Sequence, residues 1–191
     1  MVHPLERAQW RAWLEANQAA AKGIWVASYK LSAGKARLTY DEIVEEALCF
    51  GWIDSKGGKL DEERTLLWMA PRKPKSAWSR LNKERIERLT AGGMMAPSGQ
   101  RMVDLAKESG TWSALDAVEM LTLPDDLQAA FECNRGSAAK WEAFSRSARR
   151  AILEWIANAR RPETRAQRID ETARLAAKGQ AANQWRPRAK A

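Results

Sequence analysis

One stretch of the chain gathers side chains suited to holding an anion. Trp52-Ile53-Asp54-Ser55-Lys56 is followed by Arg64, then by Pro71-Arg72-Lys73-Pro74-Lys75-Ser76-Ala77-Trp78-Ser79 and Asn82-Lys83. On a strand starting at Trp52, the two-residue side-chain period turns Asp54 and Lys56 to the same side. A strand face carrying Asp, Lys and Arg is no core face; it meets water or lines a polar pocket. The Pro-bounded basic loop leads into a helix at Ser79, whose first turn offers free N–H groups and the positive end of the helix dipole. Lys56, Arg64, Arg72, Lys73, Ser76 and Lys83 are therefore candidates to hold phosphate or carboxylate, with Asn82 in the same stretch. Trp52 or Trp78 would supply a stacking face. The plainer expectation for Trp78 and Ser79 is that one packs the helix onto the sheet and the other caps it. Glu163, Thr164, Arg165 and Arg168, much later in the chain, are candidates to complete such a pocket.

Other chemistry finds little support. A phosphate loop needs G-x-x-x-x-G-K-[ST]. Gly58-Lys59 has Ile53 in place of the first Gly and Leu60 in place of the hydroxyl, and Gly34-Lys35 fails with Tyr29 and Ala36. The single His, His3, lies near the chain start, and the two cysteines, Cys49 and Cys133, are far apart. A zinc site, a disulfide framework and a His-based triad are thereby disfavoured, and no metal or cofactor is expected. Both thiols are expected reduced and buried, and Glu42, Glu45 and Glu46 are expected to form a solvated helix face. An acid–base pair of Asp54 with Lys56 or Lys73, acting on a phosphorylated substrate, is the one enzymatic reading the residues allow. The balance leans away from catalysis.

The elements that must position these residues follow from pattern and caps. Residues 5–21 read as a helix with Trp10, Trp13 and Leu14 on one stripe, and 24–31 as a strand. Thr39-Tyr40-Asp41-Glu42 is a capping box opening a helix that stops near Gly51. Residues 52–60 and 64–70 read as an antiparallel hairpin turning at Asp61-Glu62-Glu63, where Arg64 comes near Lys59 or Asp61. Further helices start at Ser79, Pro97, Pro124, Ser145 and Pro162, the last stopping at Gly179. The expected class is α+β: a small antiparallel sheet with packed helices, followed by a helical C-terminal portion. The expected division is 1–95, 96–179 and a flexible basic tail at 180–191.

The chain has 191 residues, a net charge of +8 and ten Trp. The charge is blocked. Arg72 to Arg88 holds seven basic residues against two acids, and Arg135 to Arg168 nine against three. Glu108 to Glu132, between them, has six acids and no Lys or Arg. Such blocks attract phosphates or acidic partners, so weak nucleic-acid binding with a steep salt dependence is a second reading. Trp10, Trp13 and Trp155 are expected in the core. No apolar run approaches a membrane span and no secretory leader is visible, so the expected compartment is the cytoplasm.

Several runs also resemble a known family. Glu45-Glu46-Ala47-Leu48-Cys49-Phe50-Gly51-Trp52-Ile53-Asp54-Ser55, the Pro71–Ser79 element, Asn82-Lys83 and Gly93-Met94 to Pro97-Ser98-Gly99 resemble the YdeI/OmpD-associated, or bacteriocin-protection, family. So do Pro124-Asp125-Asp126-Leu127, Trp155-Ile156, Ala159, Glu163-Thr164-Arg165 and Arg168-Ile169 in the C-terminal half, over roughly residues 10–178 in all. Met69 stands where that family usually has Phe, and Ser98 where Ala is usual. The resemblance implies a link to tolerance of bacteriocins or antimicrobial peptides and no established reaction. The resulting expectation is a non-enzymatic cytoplasmic protein binding an anionic small molecule.

Overall fold

The computed structural model of the chain describes residues 1–183, arranged in two compact units, Met1–Ala114 and a second from Leu115 onward. Among the described residues it has three strands and nine α-helices, which is the α+β class expected. In the first unit β1 (Ile24–Tyr29), β2 (Trp52–Lys59) and β3 (Arg64–Pro71) form one antiparallel sheet in the order β1-β3-β2. The central strand is the one that is apolar on both faces, Leu66-Leu67-Trp68-Met69-Ala70. The edge strand β2 is polar and carries Gly57-Gly58. The free edge of β1 is partly covered by Val2, which donates to Trp25 O at 2.9 Å and accepts from Ala27 N at 2.8 Å, blunting an edge that would otherwise pair with another chain.

Helix α2 (Tyr40–Cys49) starts on the expected capping box: Thr39 Oγ1 accepts from Glu42 N, and Glu42 Oε2 accepts from Thr39 N at 2.8 Å. It packs across the sheet with α1 (Arg7–Asn17). Val26, Met69 and Trp52 from the sheet meet Ile43, Val44, Ala47 and Leu48 of α2 and Trp10 and Leu14 of α1 in one core. Burying such side chains, at roughly 1.5–3 kcal/mol for each large apolar one, is what holds the unit. Trp10 satisfies its indole N–H on Ile43 O at 3.0 Å. Helix α3 (Arg80–Ala91) is capped by Ser79, and α4 (Pro97–Glu108) begins with Pro97 in its first turn. Helix α4 sits so close to the end of α2 that a Cβ on Gly99 would lie 2.1 Å from Cys49 O. This contact places α4 in the first unit, so the compact division falls at 114/115 instead of the 95/96 read from sequence.

The second unit is helical: α5 (Asp116–Glu119), α6 (Asp125–Cys133), α7 (Ser137–Glu142), α8 (Arg146–Ala157) and α9 (Pro162–Ala176). Leu127, Phe131, Trp141, Ile152, Ile156, Ile169 and Ala173 are its buried apolar residues. Ser137 is fully buried and donates to Phe131 O at 3.0 Å.

Several expectations are corrected. Helix α1 ends at Asn17, short of 21, and β1 ends at Tyr29, where a 3-10 turn at Leu31–Ala33 takes over. The short helices α5 and α7 lack the length to show a period and were not anticipated. Trp13 and Trp155 are only half-buried, and Cys133 is exposed. Glu46 is 1% exposed, so it does not belong to a solvated face. The tail read as 180–191 lies outside the described residues from 184 on.

Candidate functional site

The sequence-predicted residues of the first unit have taken separate partners. A register shift between Asp54 and Lys56 sets Asp54 opposite Met69 but Lys56 opposite Trp68, its immediate neighbour. Adjacent residues of β3 face opposite ways, so the bulge turns Asp54 and Lys56 to opposite sides of the sheet. Asp54 accepts from Tyr40 Oη at 2.9 Å on the helix side. The Lys56 ammonium lies over the rings of Trp25 and Trp68, 5.3 and 5.8 Å from their centroids, on the other side. The expectation that these two residues point the same way is therefore corrected.

Arg64 folds back on the hairpin turn, its Nε donating to Asp61 Oδ2 at 2.7 Å, while Asp61 Oδ1 accepts from the N–H of Glu63 and of Arg64. This is an Asx-type turn locked by an ion pair. The Arg64 guanidinium, with help from those two N–H groups, holds the Asp61 carboxyl below its ordinary value.

Arg72 is 6% exposed and lies over the Trp78 ring at 3.8 Å. Its Nη2 donates to Ser76 O at 3.3 Å and also to Ala77 O. It has no ion pair with a described carboxylate, and burial pushes its guanidinium down to about 10. Trp78 is 1% exposed and packs on Trp112 at 5.1 Å; Trp52 is 1% exposed and meets Trp13 edge-on. Neither tryptophan presents a face for stacking a ligand, and their role as stacking surfaces is corrected to core packing. Ser76 donates to Lys73 O at 2.7 Å within the loop. Asn82 accepts from Arg85 at 2.8 Å, and its N–H donates to the capping hydroxyl of Ser79. Lys83 lies over Trp112 at 5.6 Å, and Lys73 is exposed.

In the second unit, Arg165 makes a two-pronged pair with Asp126, at 2.7 and 2.9 Å. That pair holds the Asp126 carboxyl below its ordinary value. Arg168 lies over Trp155 at 4.9 Å and donates to Trp155 O. Glu163 is exposed in the first turn of α9, and Thr164 is half-buried beside it. A cavity of about 450 Å³ between α6 and α9 is bordered by Asp126, Arg165 and Asp170 over a floor of Ala130, Ala166 and Ile169.

The feature that residue types alone did not reveal is a cleft of about 490 Å³ in the first unit. It opens between the core face of the sheet at its hairpin end and the segment entering α2. Val26, Leu38, Ile43 and Leu67 give it an apolar wall, with Ser28, Thr65 and Tyr40 as hydroxyl-bearing neighbours; Leu66, also at its edge, turns its side chain to the other face of the sheet. Gly57 pairs with Leu67, on the side of the sheet that faces α2; a Cβ there would find only Leu66 O, at 3.8 Å. The missing side chain is part of what keeps the cleft open. Ser28 ties the wall together by donating to Leu38 O at 2.5 Å. Tyr40 is pushed up to about 12 by partial burial and by its bond to Asp54, so it stays a protonated donor. Only the capping box at Thr39 marked this region in the sequence, and it does not announce a cavity.

Chemically the cleft can hold a small, largely apolar body. Among the described residues no group of three or more His, Cys, Asp or Glu is placed to bind a metal ion. Cys49, buried at the end of α2, is pushed up to about 11 by burial and stays a thiol. No described helix is long and apolar enough to cross a membrane.

The fold thus defines an α+β chain whose sheet-bearing unit carries a cleft of about 490 Å³. The chain belongs to the family described as Domain of unknown function (DUF8412), whose model matches residues 2–102. Residues 120–179 match a second family model, described as Bacteriocin-protection, YdeI or OmpD-Associated. The second match confirms the resemblance over its C-terminal runs, and the N-terminal runs quoted for it fall within the first. No curated protein and no solved structure matches the chain.

Proposed function

We propose that the chain is a non-enzymatic small-ligand-binding protein of the cytoplasm whose ligand enters the cleft of the first unit. The observation that carries this reading is the cleft itself: about 490 Å³, walled by apolar side chains and held open at Gly57. Volumes of ~300–1,000 Å³ with an apolar lining and a few placed polar groups are those that take small molecules. Two unpaired thiols suit a reducing compartment. The match over residues 120–179 supports a part in bacteriocin protection, exercised through whatever ligand the first unit takes up.

Nucleic-acid binding through the basic blocks is the weaker reading, because those blocks are heavily engaged. Arg80, Arg85 and Arg88 pair with Glu84, Asp41 and Glu45, and Arg149, Arg150 and Arg165 with Glu142, Glu119 and Asp126. Catalysis by Asp54 with Lys56 is disfavoured by their placement on opposite sides of the sheet.

The test is a titration with N-phenyl-1-naphthylamine, a neutral dye that fluoresces in apolar surroundings. Enhancement is expected with the native chain and is lost in Gly57→Val, which fills the cleft at a position with room for a Cβ. Lys73→Gln should bind the dye as the native chain does. Equal enhancement in Gly57→Val, or none in the native chain, contradicts the proposal.

A further inference from the structure

We infer that the cleft of the first unit selects an amphiphilic organic anion, an apolar body with one carboxylate head held by Arg37. This rests on the cleft being the binding site and adds the ligand's charge and polarity. The residues that line the cleft include two cations, Lys30 and Arg37, and no Asp or Glu. Arg37 is half-buried and makes no ion pair with a described residue. The acid whose ionisation it favours, Glu42, has its carboxylate bound by the N–H and the hydroxyl of Thr39, both at 2.8 Å. Lys30 spends its ammonium on the carbonyls of Glu62 and Asp61, at 2.7 and 3.5 Å, which neutralise no charge. Lys35, by contrast, is taken by Glu63 at 2.6 Å and does not line the cleft. Among Lys30, Lys35, Arg37, Lys59 and Arg64 at this end of the sheet, the two at the cleft are the two without a carboxylate partner; Lys56 also has none but stands on the other face, over Trp25 and Trp68.

The ligand class follows. An apolar wall of Val26, Leu38, Ile43 and Leu67 favours a hydrocarbon or aromatic body and offers nothing to a polyanion. Two cations and no carboxylate among the lining residues, in partly desolvated surroundings, favour one anionic group over a cation. The planar guanidinium fork matches a carboxylate with two parallel hydrogen bonds. The geometry therefore requires the head and the body on the same small molecule.

The experiment compares matched pairs by isothermal calorimetry on the full chain: octanoate against octan-1-ol, and 4-phenylbutyrate against 4-phenylbutan-1-ol. Each acid is expected to bind roughly ten- to hundredfold more tightly than its alcohol, the range a charge-assisted hydrogen bond supplies. Arg37→Gln should bring the acid to the level of the alcohol and leave the alcohol unchanged. Gly57→Val, or Gly57→Ala should the valine variant not fold, should weaken acid and alcohol together. Acid and alcohol binding alike, with no effect of Arg37→Gln, overturns the anion inference and leaves the cleft as the site. Acid binding that survives both Gly57 substitutions, or no binding of either acid, overturns the inference and the cleft reading with it.

Discussion

Single residues decide most of what distinguishes this chain, and Glu46 shows how. It is 1% exposed, and Arg7 and Arg11 hold its two oxygens at 2.9 and 3.0 Å, bridging α1 to α2. Removing one member of a buried ionic group leaves the others desolvated and unpaired, which costs about 3–5 kcal/mol. Both arginines are partly exposed and keep second carboxylates, Glu45 for Arg7 and Glu15 for Arg11, so Glu46→Ala is expected to cost less, about 1–3 kcal/mol, measured by urea unfolding. Asp126 behaves differently because it is near the surface. Hydrogen bonding to Arg165 depresses its folded pKa, so the pair's contribution is complete above the ordinary carboxylate range and is lost as pH falls through the lower folded value. Asp126→Asn should cost no more than about 1 kcal/mol at neutral pH, and the difference from the native chain should shrink as the Asp126 carboxyl is protonated at acid pH. A difference that stays constant to low pH would remove Asp126 as its source.

At the scale of elements, what was legible in the sequence and what was not separate cleanly. Helix starts were legible because caps are local: the Thr39–Glu42 box, Ser79, Ser145, Pro97 and Pro162 each stand where a helix begins. The hairpin was legible from its strand-like runs and turn. The bulge in β2 was not, because a one-residue register shift depends on how β2 meets β3, and it reversed the side on which Lys56 stands. The burial of Trp52 and Trp78 was not legible either, since an aromatic beside charged neighbours fits a core edge as well as a binding face. Helix α4 gives the sharpest test at this scale. Its Gly99 meets backbone, and backbone cannot rotate aside as a side chain can. Gly99→Ala is expected to destabilise the unit by about 2–3 kcal/mol or more, despite the usual helix preference for Ala, as read by thermal unfolding. A neutral or stabilising Gly99→Ala would mean that α4 does not pack on the end of α2 as described.

For the whole molecule, the net charge of +8 turns out to say less than its distribution. Most cations of the basic blocks that suggested an anion site are engaged with acids, carbonyls and indole faces, while two inconspicuous cations, Lys30 and Arg37, stand without carboxylate partners at an apolar cleft. That cleft was illegible in the sequence because its walls come from separate segments: β1, the entry to α2, and the hairpin. None of them carries a motif. The family match over residues 2–102 covers all of these segments and gives no activity, so the cleft itself has to supply the functional reading. The most direct test of that reading is a map of amide chemical shifts in the labelled chain on titration with 4-phenylbutyrate. Shifts confined to residues 26–31, 37–43, 57–58 and 65–67 are predicted. Shifts centred on Arg72–Lys83 or on the second unit, or no shifts at saturating ligand, would contradict it.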